Sequence, residues 1–111
     1  FLSGREDSQQ IWRADFDAAT GQAANPKKLT KISTGVDGAL WSPDGRSIVF
    51  ISSVYPSCPA ITAADFASGD QCNAARDKAA AESPVKAQIF THLLYRHWDH
   101  FTGEKRSHLT I

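Results

Sequence analysis

Leu40-Trp41-Ser42-Pro43-Asp44-Gly45-Arg46-Ser47-Ile48-Val49-Phe50-Ile51-Ser52 is the stretch whose reading decides the fold. Ala39 to Ser42 has the texture of a strand, Pro43-Asp44-Gly45 of a turn, and Ser47 to Ser52 of a returning strand. Pro43 fixes its φ near about −65°, which suits the first central position of a turn. Gly45 takes the positive φ that a tight hairpin requires without a steric cost. Ile48 to Ile51 is an unbroken apolar run, so the expectation is a central strand buried on both faces.

Outward from this hairpin, the chain before it reads as strands and turns. Gln10-Ile11-Trp12-Arg13-Ala14-Asp15-Phe16 alternates apolar with polar, and Gly4 to Ser8 is a polar turn, so Phe1 to Phe16 reads as a β-hairpin. Asp17 to Gly21 is a second turn, loosened by Asn25-Pro26, and Leu29 to Ser33 alternates as a third strand. Beyond the hairpin the texture changes. Tyr55 to Pro59 breaks the strand, and residues 60–82 are rich in alanine. Asp70 or Asn73 is the expected cap of a helix through Ala74 to Glu82, stopped by Ser83-Pro84. Its apolar positions are nearly all Ala, which predicts a short and weakly anchored helix. The chain then returns to β texture: His92 to Asp99 reads as a strand, Phe101 to Glu104 as a turn, and Arg106 to Ile111 as the returning strand. These spaced units predict a repeating all-β architecture with one helical insertion. Its parts are strands over 1–34, the S-P-D-G hairpin over 35–56, the insertion over 57–86 and a hairpin over 87–111.

The 111 residues carry 12 basic and 12 acidic side chains, for a formal net charge of zero. Nucleic-acid and anionic-membrane binders show a basic excess or stripe, so neither partner is expected. Lys27, Lys28 and Lys31 read as a solvated strand end. No apolar run approaches the roughly 20 residues that span a bilayer. The apolar runs at Phe1-Leu2-Ser3 and His108-Leu109-Thr110-Ile111, with no Met in the chain, give the expectation of a segment of a longer protein. Cys58 and Cys72 enclose thirteen residues of loop-like sequence and lack the second pair of a zinc site. They read either as free thiols or as a disulfide. A disulfide would close a 15-residue loop, contributing roughly 3 kcal/mol on the chain-entropy account, and would imply an oxidising compartment.

His92, His97, His100 and His108 suggest metal ligation, but on a continuous strand His97 and Asp99 share one face while His92 and His100 share the other. No metal is therefore expected. The chain has no G-x-S-x-G elbow, no P-loop and no G-x-G-x-x-G, so neither a catalytic nor a cofactor-binding residue is assigned within it. Trp12, Trp41 and Trp98 read as core or edge packing.

The stretch from Leu40 to Ser52, with Trp41-Ser42-Pro43-Asp44-Gly45 at its centre, resembles the WD-like repeat of two propeller groups. One is the Tol-system periplasmic propeller and the other the prolyl oligopeptidase family. Arg96-His97-Trp98-Asp99, followed by Gly103 to Leu109, resembles the R-H-W-D…G-x-R-S-H segment of bacterial dipeptidyl-peptidase-like members of the second family. In these a V-Y-P stretch, here Val54-Tyr55-Pro56, leads into an insertion with two cysteines and a short charged helix. Thr110-Ile111 departs from the family pattern, which continues with Phe or Val. The resemblance implies a partial β-propeller of about two blades and a Cys58–Cys72 disulfide. It also implies export to the periplasm or medium, and a parent serine peptidase that cleaves short peptides. The Ser-Asp-His triad of such an enzyme lies in an α/β-hydrolase domain absent from this segment. The segment would then be inactive alone, act as scaffold and substrate gate, and self-associate where its missing blades leave edges uncovered. The alternative expectation is a non-enzymatic Tol-like propeller that binds proteins.

Overall fold

The computed structural model describes the chain apart from Ala63, His92, Leu94, Tyr95 and Thr102, and apart from the side chains of His97 and His100. Two antiparallel three-stranded sheets and one helix make up most of it. The first sheet has the order β1-β2-β3, from Leu2–Ser3, Gln10–Asp17 and Gln22–Lys28. The second has the order β4-β5-β8, from Asp37–Trp41, Ile48–Val54 and Arg106–Thr110. Helix α1 spans Phe66–Glu82, and β6 (Arg96–His97) pairs with β7 (His100–Phe101) in a small hairpin. Among the described residues neither sheet closes on itself.

The two sheets share one core. Ile11 from β2, Ile32 and Val36 from the connecting loop, Phe50 and Val54 from β5, and Ile61 beyond it form a single buried cluster. Burial of such side chains contributes about 1.5–3 kcal/mol each. The loop from 29 to 36 is held in place by a buried carboxamide. Gln10 donates from Nε2 to the Ile32 carbonyl at 2.7 Å and to Ser8 Oγ at 2.8 Å. Its Oε1 accepts from Ile32 N at 3.1 Å and from Thr30 Oγ1 at 2.9 Å.

The Pro43-Asp44-Gly45 turn joins β4 to β5 as its composition predicts. Gly45 sits at φ 67°, Gly45 N donates to Ser42 O at 2.9 Å, and Ser42 N donates to Ser47 O at 2.8 Å. Ser42 Oγ and Asp44 Oδ1 bond at 2.5 Å, and Asp44 Oδ1 also accepts the Arg46 N–H. The first hairpin is likewise present, with Leu2 opposite Ile11 and Ser3 opposite Gln10.

Four expectations need correction. The third strand is Gln22–Lys28 and not Leu29 to Ser33. Asn25 enters the positive-φ region at 53°, so the Asn25-Pro26 step is absorbed in an irregular edge strand. Strand β5 is central, between β4 and β8, but covered on one face only: Phe50, Ser52 and Val54 are buried while Ile51 and Ser53 face outward. The outward face continues through register partners Leu40–Val49 and Ile51–Leu109, and Leu40 and Leu109 are 70% and 73% exposed. The helix starts at Phe66, eight residues before the expected Ala74, with Asp65 as its cap. Asp70 and Asn73 do not cap, because their side chains are engaged with other parts of the chain. Finally, the chain turns at Trp98-Asp99, so Arg96 to Asp99 is a hairpin tip and not the end of a strand. Strand β8 pairs with β5, with Val54 opposite Arg106, and among the described residues it does not pair with Leu93 or Arg96 to Asp99. Part of that expected strand, at His92, Leu94 and Tyr95, lies outside the described residues.

Candidate functional site

Helix α1 buries only Gly69 and Asn73, so it has no apolar face with which to dock. Polar and covalent ties hold it instead. Cys58 and Cys72 form a disulfide with a Cα separation of 5.7 Å, joining the exit of β5 to the helix. Asp70 Oδ1 accepts from Ser33 N at 2.8 Å and from Ser33 Oγ at 2.9 Å. Gly69 is in closest approach to the 59–61 segment: a Cβ there would lie 2.8 Å from the Pro59 carbonyl oxygen.

These ties place the helix beside Tyr55, which directly follows β5 and is buried. The Tyr55 hydroxyl donates to Asp77 Oδ1 at 3.0 Å. Lys105 Nζ lies 2.6 Å from the same oxygen, and Arg76 Nη1 pairs with Glu104 Oε2 at 3.3 Å. Both cations also lie against the Tyr55 ring, at 5.2 Å for the Arg76 guanidinium and 5.3 Å for Lys105 Nζ. Burial first, then the hydrogen bond to Asp77 and the negative charge of Asp77 and Glu104, push the Tyr55 hydroxyl above its ordinary pKa, while Arg76 opposes this.

A cleft of about 910 Å³ opens beside this cluster, between α1, the 83–93 segment and the 103–106 loop. Its apolar wall includes Val85, Ile89, Phe90 and Leu93, and its charged lining is Arg76, Lys86, Glu104 and Arg106. Lys86 Nζ donates to the Ala80 and Ala81 carbonyls at the helix C-terminus, at 3.2 and 3.0 Å. That satisfies two of the carbonyls a helix end leaves open.

The residues singled out from the sequence fall elsewhere. Trp41, Ser42, Pro43, Asp44 and Gly45 form the β4–β5 turn, with Trp41 on an edge strand and largely exposed. Arg96 and His97 enter the small hairpin, and Trp98 and Asp99 form its tip. Trp98 has φ 54° and is 84% exposed, and Arg96 Nε donates to its carbonyl at 3.1 Å. Trp12 alone of the three tryptophans is buried, with the Arg5 guanidinium 4.7 Å from its ring centroid. His97 and His100 are backbone partners across the hairpin, so the face assignment of a continuous strand does not apply to them. Among the described residues no group of three or more His, Cys, Asp or Glu is placed to share a metal ion. The Tyr55, Asp77 and Lys105 constellation has no local signal in the sequence; the pairing of β5 with β8 brings Lys105 to Tyr55, and the ties of α1 bring Asp77. No family model, curated protein or solved structure matches this chain.

Proposed function

We propose that the chain is the propeller portion of an exported serine exopeptidase that cleaves short peptides, where it scaffolds and gates a hydrolase domain carried elsewhere in its parent. One observation carries this reading. Val54 and Arg106 are register partners in one sheet, so residues 55–105 are an excursion out of an antiparallel meander. That excursion contains the disulfide-stapled helix and the R-H-W-D hairpin in the order the family resemblance implies. The S-P-D-G turn on the same sheet is a second support.

The disulfide fits an oxidising compartment, and among the described residues no helix is long and apolar enough to cross a membrane. We take the location to be the periplasm or the medium. The outward face of β4-β5-β8, with Leu40, Ile51 and Leu109, is the surface a neighbouring blade would cover, so the isolated chain self-associates through it. Light scattering that shows a monodisperse monomer overturns that statement.

The test uses the full reading frame that contains this segment. It is expressed, labelled with a serine-directed fluorophosphonate and assayed with chromogenic dipeptide and acyl-amino-acid substrates. Labelling with inhibitable product release is the expected result, while the segment alone is inactive. A folded parent that neither labels nor releases product overturns the peptidase reading and leaves a protein-binding propeller as the better account.

A further inference from the structure

We infer that the cleft beside Tyr55 is a binding site for the free C-terminal carboxylate of a short apolar peptide. Two observations meet there. The first is a group of exposed apolar side chains: Ile89 and Leu93 are each 90% exposed, and Val85 stands beside them in the same lining. Large apolar side chains grouped in this way are characteristic of binding surfaces. The second is the sign of the charge. Three cationic side chains, Arg76, Lys86 and Arg106, line the cleft against one carboxylate, Glu104.

Of the three cations, Arg76 is the anchor. Lys86 is engaged with the helix carbonyls, and Arg106 Nη1 donates to the carbonyls of Gly103 and Lys105 at 2.6 and 2.7 Å. Arg76 contributes Nη1 alone to Glu104 among the described residues, in a pair whose side chains are 45% and 76% exposed. Such an exposed pair is weak and exchangeable. A guanidinium presents a planar fork that matches a carboxylate with two parallel bonds, whereas the contact to Glu104 is a single long one. An incoming carboxylate therefore competes with Glu104 for Arg76, while its apolar side chains cover Ile89 and Leu93. The Tyr55 ring behind Arg76 holds the guanidinium in place from the buried side. This inference does not rest on the peptidase reading, and either stands if the other fails.

The test is isothermal titration calorimetry of the 111-residue chain with three probes at millimolar concentration: N-acetyl-Leu-Phe, its C-terminal amide, and Leu-Phe-amide with a free amine. The acid should bind about threefold to fivefold more tightly than either amide, the difference expected of a carboxylate–guanidinium pair at a partly exposed site. Arg76→Gln should abolish that preference with an unchanged circular-dichroism spectrum. Lys27→Gln, on the far edge strand, should leave it intact. Ile89→Ser, at a site too exposed to disturb folding, should weaken the acid and its amide by the same factor. Equal affinity for acid and amide, preference for the amine-bearing probe, or no binding by any of the three overturns the inference.

Discussion

The side-chain carbonyl of Asn73 accepts the backbone N–H of Tyr55 at 2.8 Å, in the interior, where Asn73 is 0% exposed. Its amide nitrogen donates to the Gly69 carbonyl at 2.7 Å. One carboxamide thus ties the end of β5 to the middle of α1. This matters because the helix has no apolar face, and the disulfide is one residue away at Cys72. This junction places Tyr55 and α1 together on one side of the cleft.

Asn73→Ala leaves the Tyr55 N–H buried without its acceptor. The expected cost is about 1–3 kcal/mol, the usual penalty for orphaning a buried donor. The urea midpoint of the purified domain reads it directly. A midpoint unchanged from the parent would mean that the helix is not held through this bond.

Gly69→Ala poses a conflict of sign. Helix propensity favours Ala over Gly by about 1 kcal/mol in a helix interior. A Cβ at this position, however, would meet the Pro59 carbonyl at 2.8 Å and Ile61 Cγ1 at 3.1 Å. Backbone atoms cannot rotate out of the way, and overpacking costs about 1–3 kcal/mol. The substitution should therefore destabilise. A rise in melting temperature would show that the 59–61 segment can yield.

Reduction of Cys58–Cys72 should lower stability by roughly 3 kcal/mol on the chain-entropy account. The loss should show first as helical signal in far-ultraviolet circular dichroism, because the bridge joins α1 to the β5 exit. Comparing denaturation with and without a phosphine reductant checks it. Loss of β signal before helical signal would contradict this order.

The legible and the hidden parts of the fold divide on a physical line. The Ser42–Ser47 turn was legible because its signals are local: Pro43 and Gly45 bias their own dihedrals, and Ser42 and Asp44 bond within the loop. The start of α1 was not. Asp70 and Asn73 are good capping residues, but Ser33 and Tyr55 bind their side chains from positions 37 and 18 residues away in sequence. The partner of β8 was hidden for the same reason, since register with β5 is set across residues 55–105. Gln10, Ser52 and Asn73 are polar residues buried in the interior, and nothing local in the sequence marks them as such. Each is buried because it satisfies loop or strand backbone, as when Ser52 Oγ donates to Gly35 O at 2.6 Å. The whole candidate cleft rests on such long-range pairings, so no part of it was visible before the topology was known.

Acid should loosen the β4–β5 turn. The hydrogen bond from Ser42 and the Arg46 N–H hold the Asp44 carboxyl below its ordinary 3.8, and Thr20 and the Ala19 N–H do the same for Asp17. A folded pKa below the unfolded one gives stability that is present above the unfolded value and lost as pH falls through the folded value. Urea midpoints should therefore drop below about pH 4. Asp44→Asn should make the drop shallower. An identical pH profile in the variant would remove Asp44 from the account.

Alkali should act through Tyr55. Its hydroxyl is raised above the ordinary 10.0 by burial, by the bond to Asp77, and by the charges of Asp77 and Glu104. Here the folded state favours the protonated form. The contribution is complete below the unfolded pKa and is lost as pH rises through the folded one. An ultraviolet phenolate titration should show Tyr55 ionising late, together with loss of the Tyr55–Asp77 tie. Tyr55→Phe should delete that late component. Asp77→Asn removes the nearest negative charge and should bring the late component down toward the ordinary value. A Tyr55 that ionises with an unshifted pKa in the folded protein would mean that Asp77 is committed to Lys105 and that the hydroxyl is open to solvent.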